Sequence, residues 1–204
     1  MHFFITATGT DIGKTFVLEK LSNKLLLEGK KVDLIKPIIS GFEGDDQNSD
    51  SAKILKILKL DLNQENLDKI SPYRFSKPLS PNIAAKLEDK NIDFEELEEF
   101  CQNKILEAKT SSSYLFIEGA GGIMTPINNQ KTFIDLISAL KIPAILVVGN
   151  YLGTISHTLC AIKILEYNQI KIDKIIFNQK EGEIDNFGNF ETLQKFTDIQ
   201  IDKI

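Results

Sequence analysis

A short loop near the beginning of the sequence carries the residue types that bind phosphate. Residues 7–15 read Ala-Thr-Gly-Thr-Asp-Ile-Gly-Lys-Thr, after an apolar segment and before an amphipathic one. A loop between a strand and a helix points backbone N–H groups at an anion, and the helix dipole adds to the attraction. In this pattern Lys14 reaches the β- and γ-phosphates and the Thr15 hydroxyl binds Mg²⁺. The regular pattern has a glycine five residues before Gly13, where this chain has Thr8. A tight turn with a surface lysine is therefore the alternative.

Glu118 is the second candidate for phosphate chemistry. It follows the apolar residues 114–117 and precedes Gly-Ala-Gly-Gly at residues 119–122. A carboxylate at the end of a buried strand beside a P-loop strand is the usual second anchor for hydrated Mg²⁺. Mg²⁺ prefers one or two carboxylates together with phosphate oxygens and water. The alternative is a carboxylate that only caps the end of the strand.

Two further candidates lie after the second predicted strand. Lys36 ends that strand, at the carboxyl edge where open α/β sheets bind ligands. A lysine there can stabilise developing negative charge, or it can be an exposed strand-end residue. Residues 48–50, Asn-Ser-Asp, open the next predicted helix. An N-cap formed by Ser49 or Asp50 is the alternative to a role in a site.

Apolar segments alternate with amphipathic ones along the chain, and this alternation predicts the elements that must position these residues. Strands are predicted over residues 3–7, 32–36, 114–117, 144–148, 175–177 and 199–201. Helices are predicted over residues 14–28, 49–59, 133–140, 154–167 and 190–196, with a further one that begins at Asp93. Residues 61–90, with three of the prolines, are predicted to be irregular. Alternating βα units favour an α/β fold of three layers with a mostly parallel central sheet, in one domain over residues 1–204.

The composition excludes several classes of protein. Hydrophobic residues make up 42% and charged residues 26% of 204 residues, which rules out wholesale disorder. A net charge of -5 disfavours a nucleic-acid partner. The one arginine, Arg74, leaves phosphate chemistry to lysine, backbone N–H groups and metal. A signal peptide and an apolar run long enough to span a membrane are both missing, so we expect a cytoplasmic protein. Cys101 and Cys160 fall in helical patterns and are expected to pack in the core.

Taken in order, these segments resemble the dethiobiotin synthetases, a P-loop family of biotin synthesis. The matching residues, spread over nearly the whole chain, are 8–15, 36–38, 40–41, 48–50, 72–73, 80–81, 118–122, 147–149 and 152–153. The resemblance implies a P-loop NTPase-like fold, a homodimer with its active site at the interface, Mg²⁺ as cofactor and ATP as cosubstrate. It also implies a ligase that closes 7,8-diaminopelargonate with CO₂ to dethiobiotin, releasing ADP and phosphate.

The resemblance also assigns roles to individual residues. The expected catalytic residues are Lys36, Lys14 and Thr10, and the expected Mg²⁺ ligands are Thr15, Asp50 and Glu118. The residues expected to contact ATP are Asp11, Ile12, Gly13, Lys14, Thr15, Phe16, Asp50, Glu118, Gly119, Ala120, Gly121 and Asn178, of which the last reads the base. The residues expected to bind the diamine are Thr10, Ser40, Gly153 and Ser156. The last two belong to a segment that meets the substrate carboxylate across the dimer interface, and an ordinary helix start is the alternative there.

One feature of the sequence argues against each of three rival classes. A switch ATPase of the partitioning type carries an extra lysine early in its P-loop, where this chain has Gly9. A cobyrinate synthase of the amidotransferase type needs a glutaminase domain, for which 204 residues leave no room. A nucleotide-binding module without catalytic activity has no need of a second lysine, Lys36, at the phosphate edge.

Overall fold

The computed structural model describes residues 1–44, 47, 49–179 and 188–204, so Asn48 of the Asn-Ser-Asp segment lies outside the described residues. In chain order, the strands of this part are β1 (His2–Ala7), β2 (Val32–Ile35), β3 (Ile38–Ser40), β4 (Tyr73–Phe75), β5 (Tyr114–Glu118), β6 (Ala144–Gly149), β7 (Ile172–Asn178) and β8 (Ile201–Lys203). Its helices are α1 (Lys14–Leu27), α2 (Asp50–Leu58), α3 (Gln64–Ile70), α4 (Pro81–Leu87), α5 (Phe94–Ser111), α6 (Phe133–Leu140), α7 (Thr154–Tyr167) and α8 (Asn189–Phe196). None of these described helices combines the length and the apolar character needed to cross a membrane.

Six strands form the central sheet in the order β2-β5-β1-β6-β7-β8, and all of these neighbours are parallel. Helices cover both faces of the sheet, so the predicted three-layer α/β class is confirmed. β3 and β4 pair with each other in a separate two-stranded parallel sheet. The strand order places β1 in the middle, between β5 and β6, which makes the end of β1 the centre of the ligand-binding edge.

The core follows from strands that are apolar along their whole length. All six residues of β6 are buried, as expected for a parallel strand covered on both faces. Aromatic residues fill the space between the layers: the Phe3 and Phe116 rings stack with centroids 5.8 Å apart, and Phe4 contacts Phe133 from α6. α1 packs Val17 and Leu18 onto the sheet, which fixes the direction of its first turn.

The prediction of an irregular stretch over residues 61–90 is wrong. This stretch contains α3, β4 and α4, and the short strand β3, which precedes α2, was not predicted either. Elements of three to seven residues are too short to show a clear period. The local signals were nevertheless in the sequence: Asn63 caps α3 by accepting a hydrogen bond from the Asn66 N–H, and Pro81 occupies the first position of α4.

The two cysteines differ in their surroundings. Cys101 is fully buried in the core, and this burial raises the pKa of its thiol. Cys160 is exposed, so its predicted core position is wrong. The buried face of α7 is formed by Thr154, Thr158, Ala161, Ile162 and Leu165, a helical spacing that leaves Cys160 on the opposite side.

Candidate active site

The candidate site lies where three neighbouring strands of the sheet end. β2, β5 and β1 are adjacent and parallel, so Lys36, Glu118 and the loop at residues 8–13 meet at one edge. A cavity of about 780 Å³ opens there. Its volume lies within the range of sites for small ligands.

Most of the predicted site residues line this cavity. They are Thr10, Asp11, Gly13, Lys14, Thr15, Phe16, Lys36, Ser40, Asp50, Glu118, Ala120 and Gly121. The predicted residues that do not line it are Ile12, Gly119, Gly153, Ser156 and Asn178. The structure therefore brings together the phosphate, metal and lysine candidates, whereas the candidates for the base and the substrate carboxylate lie outside the cavity.

A buried ion cluster forms the floor of the cavity. Lys36 Nζ donates to Glu118 Oε1 at 2.8 Å and also to Asp50 Oδ2. Lys36 is 6% exposed and Glu118 is completely buried. Burial alone would lower the pKa of Lys36, but the carboxylates of Glu118 and Asp50 outweigh it and raise the pKa. In the same way Lys36 lowers the pKa of Asp50 against the effect of burial. Lys36 is therefore held as an ammonium that contacts both Glu118 and Asp50.

The start of α2 leaves Asp50 available to this cluster. Ser49, the residue before the helix, accepts a hydrogen bond from the Ala52 N–H and so acts as the N-cap. Asp50 stands in the first turn, and its side chain is one-third exposed, facing the cavity. The cap alternative therefore applies to Ser49, and Asp50 belongs to the ion cluster.

The residues expected to hold Mg²⁺ have the right chemistry for it. The Thr15 hydroxyl donates to Glu118 Oε1 at 2.8 Å. The other carboxylate oxygen, Glu118 Oε2, is buried and has no hydrogen-bond partner among the described residues. A buried carboxylate oxygen without a partner is costly unless something else binds it. Two carboxylates and a hydroxyl supply only oxygen donors, the type that Mg²⁺ prefers.

Lys14 points into the loop at the mouth of the phosphate site. Its Nζ donates to the carbonyl of Gly121 at 2.7 Å and to that of Gly9 at 3.4 Å. Burial lowers the pKa of Lys14 to about 8, although Glu118 and Asp50 act in the opposite direction. Neutral carbonyls offer this ammonium little charge compensation, so an anionic ligand would stabilise it further.

Asn178 supports the phosphate loop from β7. Its Nδ2 donates to the carbonyl of Ile12 at 2.8 Å, and Asn178 is 6% exposed. Gly13 has φ +95°, and a Cβ at this position would collide with the Asn178 amide. The glycine is therefore required both by the backbone conformation and by this close approach. Contact of Asn178 with a nucleotide base stays a prediction.

The segment before α7 lies beside the phosphate loop, outside the cavity. Gly153 precedes the first turn with φ +98°, and Ser156 is exposed. Tyr151, which sequence reasoning missed, connects this segment to the loop. Its hydroxyl donates to Thr8 Oγ1 at 3.2 Å and lies 3.0 Å from His157 Nδ1. A tyrosine in a strand-to-helix connection gives no sequence signal of its own, so only the fold reveals the contact.

Thr125 is a second residue that sequence reasoning missed. Its Oγ1 accepts a hydrogen bond from the Gly122 N–H at 2.8 Å, and it lines the cavity. Gly121, with φ +68°, approaches the Thr125 side chain so closely that a Cβ would collide with it. The Gly-rich segment after Glu118 is therefore held as a turn. A hydroxyl residue shortly after such a segment was the available signal.

Ser40 lines the cavity, whereas Gly119 and Arg74 do not. Ser40 Oγ is buried without a hydrogen-bond partner in the described part of the chain, and Ser40 lines the cavity. Gly119 is needed for packing, since a Cβ there would stand 3.0 Å from the Phe4 ring. Arg74 pairs with Asp68 at 2.6 Å and lies outside the lining of this cavity.

A glycine-containing loop with Lys14 and Thr15 at the start of a helix, together with a strand-end carboxylate, defines a P-loop nucleotide-binding α/β protein.

A family model described as an AAA domain matches residues 1–201. The chain belongs to the ATP-dependent dethiobiotin synthetase family. It is 40% identical over 202 residues to the ATP-dependent dethiobiotin synthetase BioD of Legionella pneumophila (strain Paris), covering 96% of this chain and 90% of the relative. It is 38% identical over 182 residues to BioD of Acidiphilium cryptum (strain JF-5), covering 88% and 80%. The resemblance stated from the sequence is thus confirmed.

Solved structures agree on the fold. The MinD cell division protein of Aquifex aeolicus superposes with a TM-score of 0.60 at 20% identity, covering all of this chain and 81% of MinD. The signal recognition particle receptor FtsY of Elizabethkingia anophelis gives a TM-score of 0.57 at 13% identity, covering 98% and 56%. At these identities the likeness concerns the P-loop fold alone.

Proposed function

We propose that this protein is an ATP-dependent dethiobiotin synthetase, which closes 7,8-diaminopelargonate with CO₂ into a cyclic urea. The observation that carries the proposal is the buried cluster of Lys36, Asp50 and Glu118 beside Lys14 and Thr15. A lysine at this position adds a second cation to the phosphate edge, beyond the lysine that nucleotide binding requires. This arrangement suits transfer of a phosphoryl group to an anionic acceptor.

The phosphates of ATP would lie along the loop of residues 9–15, where the N-terminus of α1 faces the cavity. The α1 N-cap, Gly13, makes no side-chain hydrogen bond, which leaves the first N–H groups of the helix for an anion. Thr15, Asp50 and Glu118 would hold Mg²⁺. The ion would neutralise charge on the phosphates during transfer.

The diamine would occupy the side of the cavity opposite the P-loop helix. Ser40 offers there a buried hydroxyl that has no hydrogen-bond partner among the described residues, and Ile39, Leu79 and Pro81 provide apolar surface for an alkyl chain. Thr10 would contact the amine end near the phosphates. The substrate carboxylate would bind at the uncapped start of α7, at Gly153 and Ser156.

The proposed reaction has three steps. One amine adds to CO₂ and loses a proton to form a carbamate. A carbamate oxygen then attacks the γ-phosphorus of ATP, which breaks the bond to ADP and gives a carbamic–phosphoric anhydride. The second amine, as the neutral NH₂ group, attacks the carbonyl carbon, loses one proton to water and expels inorganic phosphate, so that an N–H remains in the cyclic urea. Because both amines belong to one substrate, the last step is intramolecular, which can supply about 7 kcal/mol or more of the barrier.

Lys36 and Lys14 would serve the second step. Lys36 would stand between the carbamate oxygen and the transferring phosphoryl group and so hold two anions together. Lys14 would leave the carbonyls of Gly121 and Gly9 for the β- and γ-phosphates. Both ammonium groups are more than nine-tenths buried, and a buried charge acts more strongly on a transition state than an exposed one.

We further propose that residues 1–204 act as one domain, that two copies form a homodimer, and that the enzyme works in the cytoplasm. The dimer is supported by the place of Gly153 and Ser156. They lie beside the phosphate loop of their own chain but outside its cavity, so a site that uses them needs a second copy. Leu152, next to them, is 96% exposed and offers an apolar contact.

A product assay tests the proposal directly. The purified protein is mixed with 7,8-diaminopelargonate, bicarbonate, Mg²⁺ and ATP, and the cyclic urea is measured by mass. We expect one ADP and one phosphate for each dethiobiotin formed. ATP hydrolysis at the same rate with and without the diamine, and no cyclic product, would contradict the proposal and favour a switch ATPase.

The variant Lys36→Ala separates catalysis from nucleotide binding. Loss of one group that stabilises transition-state charge lowers kcat by about 10²–10³-fold. Binding of Mg²⁺ with a nonhydrolysable ATP analogue, measured by calorimetry, should not weaken. Lys69→Ala, which removes an exposed ion pair with Glu65 on α3, is the matched control and should keep wild-type turnover. Equal loss of turnover and nucleotide binding in Lys36→Ala would instead assign Lys36 a role in binding.

A further inference from the structure

Lys36 contacts both of the carboxylates expected to bind the metal ion. Its Nζ donates to Glu118 Oε1 at 2.8 Å and to Asp50 Oδ2. Thr15, the third expected ligand, donates to the same Glu118 oxygen at 2.8 Å. Lys36 therefore contacts both carboxylates that would hold Mg²⁺, and it shares one Glu118 oxygen with Thr15.

Lys36 and Glu118 are buried, so the charges of this cluster are poorly screened by water. The side chain of Lys36 is 7% exposed and that of Glu118 is not exposed at all. Two carboxylates so close together repel each other strongly unless a cation lies between them. Lys53, the other cation near Asp50, approaches its second oxygen only to 3.8 Å and is 48% exposed. It cannot replace Lys36, because exposed pairs interact weakly.

We propose that Lys36 is an internal counter-ion that excludes free metal ions from the site until nucleotide arrives. Only a metal ion that comes with the phosphates of ATP gains enough additional ligands to displace the ammonium from Asp50 and Glu118. The displaced Lys36 is then free for the phosphoryl group at the same edge of the sheet. The inference rests on the proposed function for the identity of the metal site, and it adds an order: metal and nucleotide bind together, and the lysine moves after them.

Metal binding without nucleotide tests this order. Mn²⁺ is titrated into the nucleotide-free protein, and free Mn²⁺ is measured by electron paramagnetic resonance. Wild type should bind Mn²⁺ weakly, and Lys36→Met should bind it about tenfold more tightly or better, because ligand charge sets affinity at such sites. Lys53→Met is the matched control, since it removes a lysine near Asp50 without freeing both carboxylates; its Mn²⁺ affinity should stay within about twofold of wild type.

Thermal unfolding gives a second readout. Without metal, Lys36→Met should unfold at a lower temperature than wild type, because two buried carboxylates lose their counter-ion. Excess Mg²⁺ should restore much of the loss in the variant and move the wild-type midpoint far less. Lys36→Gln, which keeps an N–H donor for the carboxylates, serves as the milder variant.

The possible outcomes are distinct. Equal Mn²⁺ affinity in wild type and Lys36→Met, or an equal increase in Lys53→Met, overturns the proposal. So does a failure of both Lys36 variants to fold even in excess metal ion, because the ion would then not replace the lysine. Mn²⁺ together with a nonhydrolysable ATP analogue is titrated into wild type in parallel. Failure of that binding counts against the metal site of the proposed function, whereas success there with failure of the nucleotide-free comparison overturns this inference alone.

Discussion

At the scale of single residues, the phosphate loop is held in place by side chains from distant parts of the chain. Asn178 holds the carbonyl of Ile12, and Tyr151 holds the hydroxyl of Thr8. Thr8 stands where the regular loop pattern has a glycine, and the tyrosine gives its side chain a partner. Each neutral hydrogen bond of this kind contributes about 1 kcal/mol. These contacts position the loop and do not touch the reacting atoms.

Removal of the Tyr151 hydroxyl should weaken nucleotide binding. In Tyr151→Phe we expect KM for ATP to rise about two- to tenfold with kcat within about twofold of wild type, from the loss of the hydrogen bond to Thr8 in the loop. Thr8→Val should give a similar rise, and the double variant should be no worse than Tyr151→Phe alone, because Tyr151→Phe already removes the contact with Thr8. Tyr167→Phe, at an exposed tyrosine at the end of α7, is the control. Additive effects of the two changes would contradict the contact.

At the scale of elements, the helix starts differ in what satisfies their first N–H groups. α2, α3 and α5 begin after Ser49, Asn63 and Asp93, whose side chains accept from the first turn. α1 and α7 begin after Gly13 and Gly153, which are left-handed and make no side-chain cap. Both of these helices start at the ligand-binding edge of the sheet. In α7 the Thr154 N–H donates to the Tyr151 carbonyl at 3.1 Å, but no side chain caps the first turn of either helix. Their remaining first-turn N–H groups are therefore available to anionic ligands.

The glycine before α1 should be indispensable for nucleotide binding. In Gly13→Ala the new Cβ collides with the Asn178 amide, and the backbone must keep a φ of +95° that is unfavourable for alanine. We therefore expect nucleotide affinity to fall by at least about 100-fold in a calorimetric titration. Gly29→Ala is the matched control: it has φ +72°, and no described atom lies within 4 Å of the added Cβ. It should cost about 1 kcal/mol of stability and leave nucleotide affinity unchanged. Wild-type affinity in Gly13→Ala would contradict the proposed loop function.

Glu88, the residue after α4, should make stability depend on pH. Its carboxylate pairs with Lys90 and accepts from the Ser76 N–H, which lowers its pKa from 4.5 to about 2. A lowered carboxyl pKa gives stability that is present above about pH 4.5 and is lost as the pH falls toward 2.

In urea unfolding at neutral pH, Glu88→Gln should therefore be less stable than wild type by about 1 kcal/mol or less, as expected near the surface. The difference should shrink as the pH is lowered from about 5 to about 3. Glu65→Gln, in an exposed pair with Lys69, should show a smaller effect. A difference that is constant over this range would exclude the carboxylate charge as the cause.

At the scale of the whole molecule, the sequence predicts the repeated βα units but not which strands lie next to each other in the sheet. Six apolar segments and the helices between them are enough to predict a parallel three-layer fold. The strand order that makes Lys36 and Glu118 neighbours depends on packing between distant segments, so the ion cluster could only be suspected from two strand ends. The sequence did not predict the roles of Tyr151 and Thr125, because each contacts a loop residue through a single side chain and such contacts leave no periodic pattern in the sequence. β3 and β4 were not predicted because a strand of three residues is too short to show an alternating apolar pattern.

The proposed dimer gives a prediction at this scale. Wild type should sediment as a dimer, and Leu152→Asp should shift it toward the monomer, because a charge replaces an apolar side chain that is 96% exposed in the single chain. Its unfolding midpoint should remain that of a well-folded chain. Leu27→Asp, at a leucine 89% exposed at the end of α1, is the control and should leave the dimer intact. A wild-type protein that sediments as a monomer would contradict the dimer.

The separate β3–β4 sheet and the main sheet each supply a different part of the cavity lining. Ser40 and Ile39 belong to β3, whereas the phosphate loop and the ion cluster are held by the main sheet and its helices. Ile39 and Ser40 line the cavity and can therefore be exchanged without changing the main sheet, whereas Ile38 packs in the main hydrophobic core and should be kept. For an engineer this makes the small sheet the place to randomise when a longer, shorter or differently substituted diamine is to be cyclised by the same phosphoryl-transfer machinery.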